Sequence, residues 1–231
     1  QARLKVKAVQ AVHAPSLPRA TDDAARAFPA PRSPRERYPR SMTRIISGAA
    51  GSLRLEVPKA GTRPTSDRVR EAIFSALESW GLVDGANVLD LYAGSGALGL
   101  EAASRGAAAV TLVEKHPQAA QVAERNSRIV TKAFSGGTAP VIRVEKASVQ
   151  TYLDRPGTEN FDVALIDPPY DLGEAELTAN LKSLIPQLAE DAMVLVERSS
   201  RSPEPTWPDG LALVRKKSYG ETLLWWAELA E

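Results

Sequence analysis

Four consecutive residues, Asp167-Pro168-Pro169-Tyr170, join a carboxylate, two prolines and an aromatic ring directly after the apolar run 161–166. Consecutive prolines remove two backbone N–H donors and leave the carbonyl acceptors in place. The result is a stiff, acceptor-rich loop that also offers a flat ring for stacking. Such a loop suits gripping an exocyclic amine on a planar base while the nitrogen acts as a nucleophile. The apolar run before it reads as a buried strand, which would fix the loop at a sheet edge.

A second loop, residues 90–99, reads Asp-Leu-Tyr-Ala-Gly-Ser-Gly-Ala-Leu-Gly. Gly94, Gly96 and Gly99 match the dinucleotide fingerprint literally. A dinucleotide would set its pyrophosphate against the helix N-terminus that follows. Asp90 argues against that ligand, because a carboxylate four residues before Gly94 would repel a pyrophosphate. S-adenosylmethionine (SAM) fits better. It carries a positive ammonium for Asp90, a ribose diol for Glu114 at the end of the next strand, and no phosphate. A dinucleotide site and a merely structural turn are the weaker readings. The expected cofactor set is Asp90, Tyr92, Gly94, Gly96, Gly99, Glu114, Lys115, Ala147 and Ser148; the expected catalytic set is Asp167, Pro168, Pro169 and Tyr170. Most of these fall at or just past the carboxyl ends of expected strands, where ligands of open α/β sheets lie.

The elements that must position these loops can be read from periodicity. Strands are predicted over 87–92, 109–114, 140–145, 161–167 and 193–198, with helices near 97–105, 117–132, 148–153 and 174–188. Alternation of this kind implies parallel strands, helices on both faces and right-handed crossovers. Segments 211–218 and 221–228 are separated only by Tyr219-Gly220. They should form a hairpin whose last strand runs antiparallel inside the sheet. Trp225 and Trp226 in that strand should face opposite sides and both be structural. Upstream, 43–58 reads as a hairpin with its turn at 47–51. A helix is predicted over 65–80, capped by Thr65 or Ser66, with Val69, Ile73, Phe74 and Leu77 on one face. Asp67 should support the start of that helix, and His116 should be a surface residue at the start of a later one.

Composition bounds the rest. At 231 residues and 43% apolar content the chain can bury one full core. It has no cysteine, which excludes disulfides, Cys₄ zinc, iron–sulfur clusters and a thiolate nucleophile. With two histidines a histidine-rich metal site is not expected. No apolar run approaches the roughly 20 residues that cross a bilayer, so the protein is expected to be cytoplasmic. Net charge is +1, yet residues 1–41 carry nine Lys/Arg against three Asp/Glu and six prolines. That segment reads as a basic, poorly packed extension, with a basic arm for RNA as the sharper reading. Met42 stands directly after it, where the folded part is expected to begin.

With these pieces together, the chain resembles RsmD-type small-subunit rRNA (guanine-N2)-methyltransferases. The likeness rests on residues 44–48 (Arg-Ile-Ile-Ser-Gly), 63–71 (Arg-Pro-Thr-Ser-Asp-Arg-Val-Arg-Glu), 90–99 and 167–170. It spans roughly 42–228 and leaves 1–41 uncovered. The resemblance implies a seven-stranded, mostly parallel Rossmann-like methyltransferase sheet with a C-terminal antiparallel hairpin, over residues 83–231. A small hairpin and helix over 42–82 would contact RNA. The implied reaction moves a methyl group from SAM to N2 of one guanine in 16S rRNA, within the assembled or assembling small subunit. The enzyme is expected to be a monomer. A common form of this fold carries an acidic residue after the third strand; here 145–148 read Glu-Lys-Ala-Ser, which leaves the adenine contact to backbone or Ser148.

In this reading Asp167 and the Pro168 carbonyl accept hydrogen bonds from the amine, and Tyr170 stacks on a base flipped out of its loop. Arg44, Arg63, Thr65, Arg68 and Arg70 form the RNA-facing set. Three arginines at a helix N-terminus, where positive charge is least welcome, imply an anionic partner. Adenine-N6 nucleic-acid methyltransferases and protein-glutamine methyltransferases share the loop, the latter usually with Asn at position 167. A non-catalytic RNA-binding or ribosome-assembly protein that kept the fold is the alternative from another class.

Overall fold

The structure is a computed structural model that describes residues 42–58, 65–134, 137–156 and 159–230. The basic extension, including all of 1–41, and Arg63 lie outside the described residues. A short hairpin comes first, β1 (Met42–Arg44) paired antiparallel with β2 (Arg54–Glu56). Helix α1 (Asp67–Ser79) follows, and its N-cap is Ser66, whose hydroxyl accepts from the Val69 amide. The alternating part runs β3 (Asn87–Leu91), α2 (Ala97–Ser104), β4 (Ala109–Val113), α3 (Pro117–Thr131), β5 (Val141–Glu145), α4 (Val149–Leu153), β6 (Phe161–Ile166), α5 (Glu174–Leu184) and β7 (Leu188–Ser199). The chain closes with β8 (Leu211–Tyr219) and β9 (Thr222–Leu229).

Seven strands form one sheet in the order β5-β4-β3-β6-β7-β9-β8. The first five are mutually parallel, and β9 enters antiparallel between β7 and β8. The expected topology is therefore present. The chain steps outward from β3 to β5 and then crosses back to β6, so the order reverses between β3 and β6. In such sheets a ligand fits in the crevice beyond the carboxyl ends at this reversal.

The central strands β3, β4 and β6 are buried on both faces, the edge strands β5 and β8 are largely exposed, and each face of the sheet packs its own set of helices. One core joins Ile45, Leu55, Ile73, Phe74, Leu100, Ala123, Leu112 and Trp226 from the hairpin, α1, α2, α3 and the sheet. The other joins Leu89, Tyr152, Leu153, Leu177, Leu181 and Trp225 from the sheet, α4 and α5. Both tryptophans of β9 are structural, one on each face, as strand alternation requires. Trp226 also meets Trp80 edge to face, with ring centroids 5.0 Å apart. The hairpin and α1 thus share a core with the sheet and form a layer on one of its faces.

One boundary differs from the pattern. The helix predicted over 174–188 stops at Leu184, turns through a short 3₁₀ segment at Ile185–Gln187, and β7 begins at Leu188. Pro186 accounts for this. It has no amide to continue the helical ladder; Ile185 before it keeps helical angles, and the chain becomes extended at Leu188. Among the described residues no helix is long and apolar enough to cross a membrane.

The hairpin motif, and Glu71 of the arginine-rich motif, serve to assemble the fold. Glu101 of α2 accepts the amides of Ile46 and Ser47 at 2.7 and 3.0 Å. Ser104 donates to the Ser47 carbonyl and accepts the Ala50 amide. A Cβ at Gly48 would lie 1.9 Å from the Ser104 carbonyl oxygen, so the turn docks that closely only because Gly48 has none. Arg105 ties α1 to α2 through Glu71, Glu78 and Glu101 and lies over the Phe74 ring.

Candidate active site

The glycine loop begins where β3 ends. Tyr92 takes φ 64°, a left-handed conformation uncommon outside glycine, and its hydroxyl accepts a hydrogen bond of 2.6 Å from the Asn180 amide on α5. Gly94 donates its amide to Glu114 Oε2 at 2.9 Å, while Glu114 Oε1 accepts the His116 amide at 2.7 Å. Each carboxylate oxygen has a lone pair left, so Glu114 can still receive a diol. Asp90 is buried and accepts the Gly99 amide at 2.8 Å, which also caps the start of α2. Loss of hydration pushes its carboxyl up to about 8, against the pull of the Gly99 bond and aided by the nearby charges of Asp167 and Glu114. A buried anion in that state is short of a counter-charge.

Gly94 faces the crevice, but the other two glycines act through packing. A Cβ at Gly99 would lie 2.4 Å from Leu112 and 2.8 Å from Val110, so its absence lets α2 press onto β4. Gly96 is the N-cap of α2 and does not line the crevice. Ser148 is likewise committed elsewhere. Its hydroxyl accepts from the Thr151 amide and donates to the Thr151 hydroxyl, capping α4. Ala147 packs against the second core, and the residue this segment presents to the crevice is Val149. Gly96, Gly99, Ala147 and Ser148 therefore shape the cofactor region without lining it; Asp90, Tyr92, Gly94, Glu114 and Lys115 do line it.

The proline loop arrives from β6. Ile166 pairs with Val196 at the end of the parallel ladder, so the next residues, Asp167 and Glu197, emerge side by side. Thr65, immediately before α1, donates its hydroxyl to Asp167 Oδ2 at 2.8 Å and lies 3.3 Å from Glu197 Oε2. Burial raises both carboxyls above the ordinary range, and the charge of Asp167 raises Glu197 further. Pro168 is buried, and Tyr170 stands out with 71% of its surface exposed. Glycine loop and proline loop open into one crevice of about 1190 Å³, bounded also by the start of α1 and by the β8–β9 turn at Tyr219–Thr222.

The basic set divides. Arg70 is fully buried; its guanidinium donates to Asp67 at 2.7 Å, to the Arg44 carbonyl at 2.8 Å and to the Thr43 hydroxyl at 3.0 Å. It holds β1 against α1 and is not available to phosphate. Asp67, in the first turn of α1, supplies the anion that the helix start required, so the cluster needs no outside partner on that ground. Arg44 is half-exposed and paired with Asp67, and Arg68 is exposed. The Thr65 hydroxyl is engaged by Asp167 and Glu197.

Residues 43–228 match the family described as Conserved hypothetical protein 95. The chain belongs to this family. A family relative, ribosomal RNA small subunit methyltransferase D of Escherichia coli (strain K12), is 37% identical over 179 residues, spanning 77% of this chain and 85% of its own. Hypothetical protein TTHA0928 of Thermus thermophilus, a solved structure, superposes with a TM-score of 0.68 at 31% identity, covering 81% of this chain and 99% of its own. The fold alone is shared with magnesium protoporphyrin IX methyltransferase of Synechocystis PCC 6803, solved with bound SAM, at 13% identity and a TM-score of 0.54 over 74% of this chain and 87% of that one. These likenesses agree with a methyltransferase related to small-subunit rRNA methyltransferases.

The crevice passes the chemical test for SAM. Asp90, Glu114, Asp167, Asp171, Glu197 and Glu221 line it against Lys115 and Arg201. An acidic lining repels pyrophosphate and welcomes a sulfonium and an ammonium. The cofactor this crevice fits is S-adenosylmethionine. Asp90, Gly94 and Glu114 would hold it through its amino-acid and ribose parts. Glu197 escaped the sequence reading. Its only signal was a carboxylate closing the apolar run 193–196, on the strand that neighbours Asp167.

Proposed function

We propose that the protein transfers a methyl group from SAM to the exocyclic N2 of a guanine in small-subunit rRNA, after the base has left its stack. The observation that carries this reading is the meeting of an acidic, glycine-lined crevice and the Asp-Pro-Pro-Tyr loop at one sheet edge. When bound, SAM supplies the activated methyl group. The protein's part is to hold and orient the amine. The guanine amine is a poor nucleophile because its lone pair is delocalised into the ring. Hydrogen bonds from its two hydrogens to Asp167 and the Pro168 carbonyl turn that lone pair out of conjugation. Most of the rate gain is then positioning and electrostatics. The proton that the methylated nitrogen sheds passes to Asp167 or water. Relatives named as small-subunit rRNA methyltransferases support the polymer. A monomer acting in the cytoplasm, where that RNA lies, completes the reading.

The deciding experiment is incubation with labelled SAM and under-modified small subunits or their free rRNA, followed by nucleoside analysis. Labelled N2-methylguanosine is expected. Labelled N6-methyladenosine would reassign the base, and no labelled nucleoside together with no SAM binding by calorimetry would favour an assembly factor.

Two contacts of this reading can be tested singly. Tyr170 is the exposed ring beside the catalytic carboxylate, so Tyr170→Ala should weaken productive RNA binding by about 1–3 kcal/mol, the loss of one base–aromatic stack. KM for RNA is the readout, and an unchanged KM would remove Tyr170 from the base site. Arg68 is the exposed arginine of α1 and is assigned to a phosphate. Arg68→Ala should then reduce the slope of log affinity against log salt by about one phosphate contact. Equal slopes for mutant and wild type would place Arg68 off the RNA path.

A further inference from the structure

Glu197 has no role in the amine-methylation reading, yet it is buried beside the carboxylate that does the gripping. One hydroxyl, that of Thr65, stands 2.8 Å from Asp167 and 3.3 Å from Glu197. A threonine hydroxyl has a single proton to donate. It can serve one carboxylate, and the other can join the same hydroxyl only by donating a proton of its own. Two carboxylates this close, both short of water, do not both ionise. We propose that Glu197 is a positioning residue: it stays protonated, donates to the Thr65 oxygen, and so leaves the Thr65 proton directed at an ionised Asp167.

The surroundings favour this arrangement over its reverse. Among the described residues no lysine or arginine pairs with Glu197. Thr65, ahead of α1, contacts both carboxylates, and Asp90 on β3 feels the charge of Asp167. Arg198, next along β7, turns to the other face and pairs with Glu174 on α5. Asp167 keeps a full-strength hydroxyl bond, while Glu197 has only the longer contact. The consequence for chemistry is direct. An amine needs an acceptor, and an ionised Glu197 would drive the shared proton onto Asp167 and turn that acceptor into a donor. The hydroxyl also links the start of α1 to the proline loop, so the same chain of bonds ties the N-terminal layer to the reacting edge.

The role rests on the methylation reading, but the proton can be observed without it. With the carboxyl carbons of glutamate alone labelled with carbon-13, the infrared spectrum of the full-length protein at neutral pH should contain a label-shifted acid carbonyl band. That band should vanish in Glu197→Gln. No such band in the wild type, or one that persists in the variant, overturns the proposal. For catalysis, Glu197→Ala should lower kcat about 100-fold with SAM affinity changed by less than about threefold. Glu197→Gln, which keeps a neutral donor, should recover most of that loss. A Gln variant as impaired as the Ala variant would mean that charge is needed, and a fully active Ala variant would mean that Glu197 is idle; either sinks the role. A wild type that yields no N2-methylguanosine sinks the methylation reading instead, and the infrared result still decides where the proton lies.

Discussion

Asp167→Ala is expected to lower kcat for methyl transfer about 10³-fold while SAM affinity stays within about threefold. The separation follows from the geometry. Asp167 stands just past the end of β6, with its carboxylate held by Thr65 beside Pro168, Pro169 and Tyr170. The groups assigned to the cofactor, Asp90, Gly94 and Glu114, come from β3 and β4 and the loops that follow them. Removing Asp167 leaves the donor seated and the amine ungripped. Acid should imitate the mutation. A carboxyl raised from 3.8 to about 6 loses its acceptor character as pH falls through about 6, so kcat should drop on the acid side of that value. A pH profile of single-turnover rates, with SAM saturating, checks both halves. Loss of SAM binding in parallel with kcat would place Asp167 in the cofactor site instead.

Much of this geometry was legible because period and punctuation agree in the chain. Strands β3, β4 and β6 are short apolar runs that end at acidic residues or loops, and the β8–β9 hairpin is announced by Tyr219-Gly220. What stayed hidden depends on distance in space. Periodicity places Arg70 near a helix start, but only the docking of β1 shows that it is enclosed by Asp67, Thr43 and the Arg44 carbonyl. The Gly94-x-Gly96-x-x-Gly99 spacing suggests three equivalent ligand contacts. The packing of α2 on Leu112 and Val110 assigns Gly99 to the fold. Glu197 stands 30 positions beyond Asp167, and the register of β6 on β7 is what makes them neighbours. Motifs thus revealed the reacting loops, while the residue that sets their protonation came from strand pairing.

The second large effect concerns Asp90. Asp90→Asn should weaken SAM binding about 100-fold, roughly 2.7 kcal/mol, the scale of a charge-assisted hydrogen bond lost. The same change should make the unliganded protein more stable. Asparagine can still accept the Gly99 amide, so the cap of α2 survives. The sign of the stability effect comes from linkage. The Asp90 carboxyl titrates near 3.8 when unfolded and at about 8 when folded. Between those values the folded chain keeps a proton that the unfolded chain has released. Wild-type stability therefore declines as pH rises across that window and levels off above about 8. Asparagine has no such proton, so the gain in Tm should be greatest at alkaline pH, about 3 °C for each kcal/mol in a chain of this size, and should shrink toward pH 4. SAM binding should follow the opposite course. Its ammonium prefers the ionised Asp90, so wild-type affinity should rise by up to about tenfold per pH unit on approaching 8, with a proton released on binding. Calorimetry in two buffers of different ionisation enthalpy measures that proton directly. A variant that binds SAM as the wild type does would remove Asp90 from the cofactor site. A variant that binds poorly and melts lower would show that the carboxylate serves the fold. Weak binding together with a higher Tm is the signature of a charge kept in the core for its ligand.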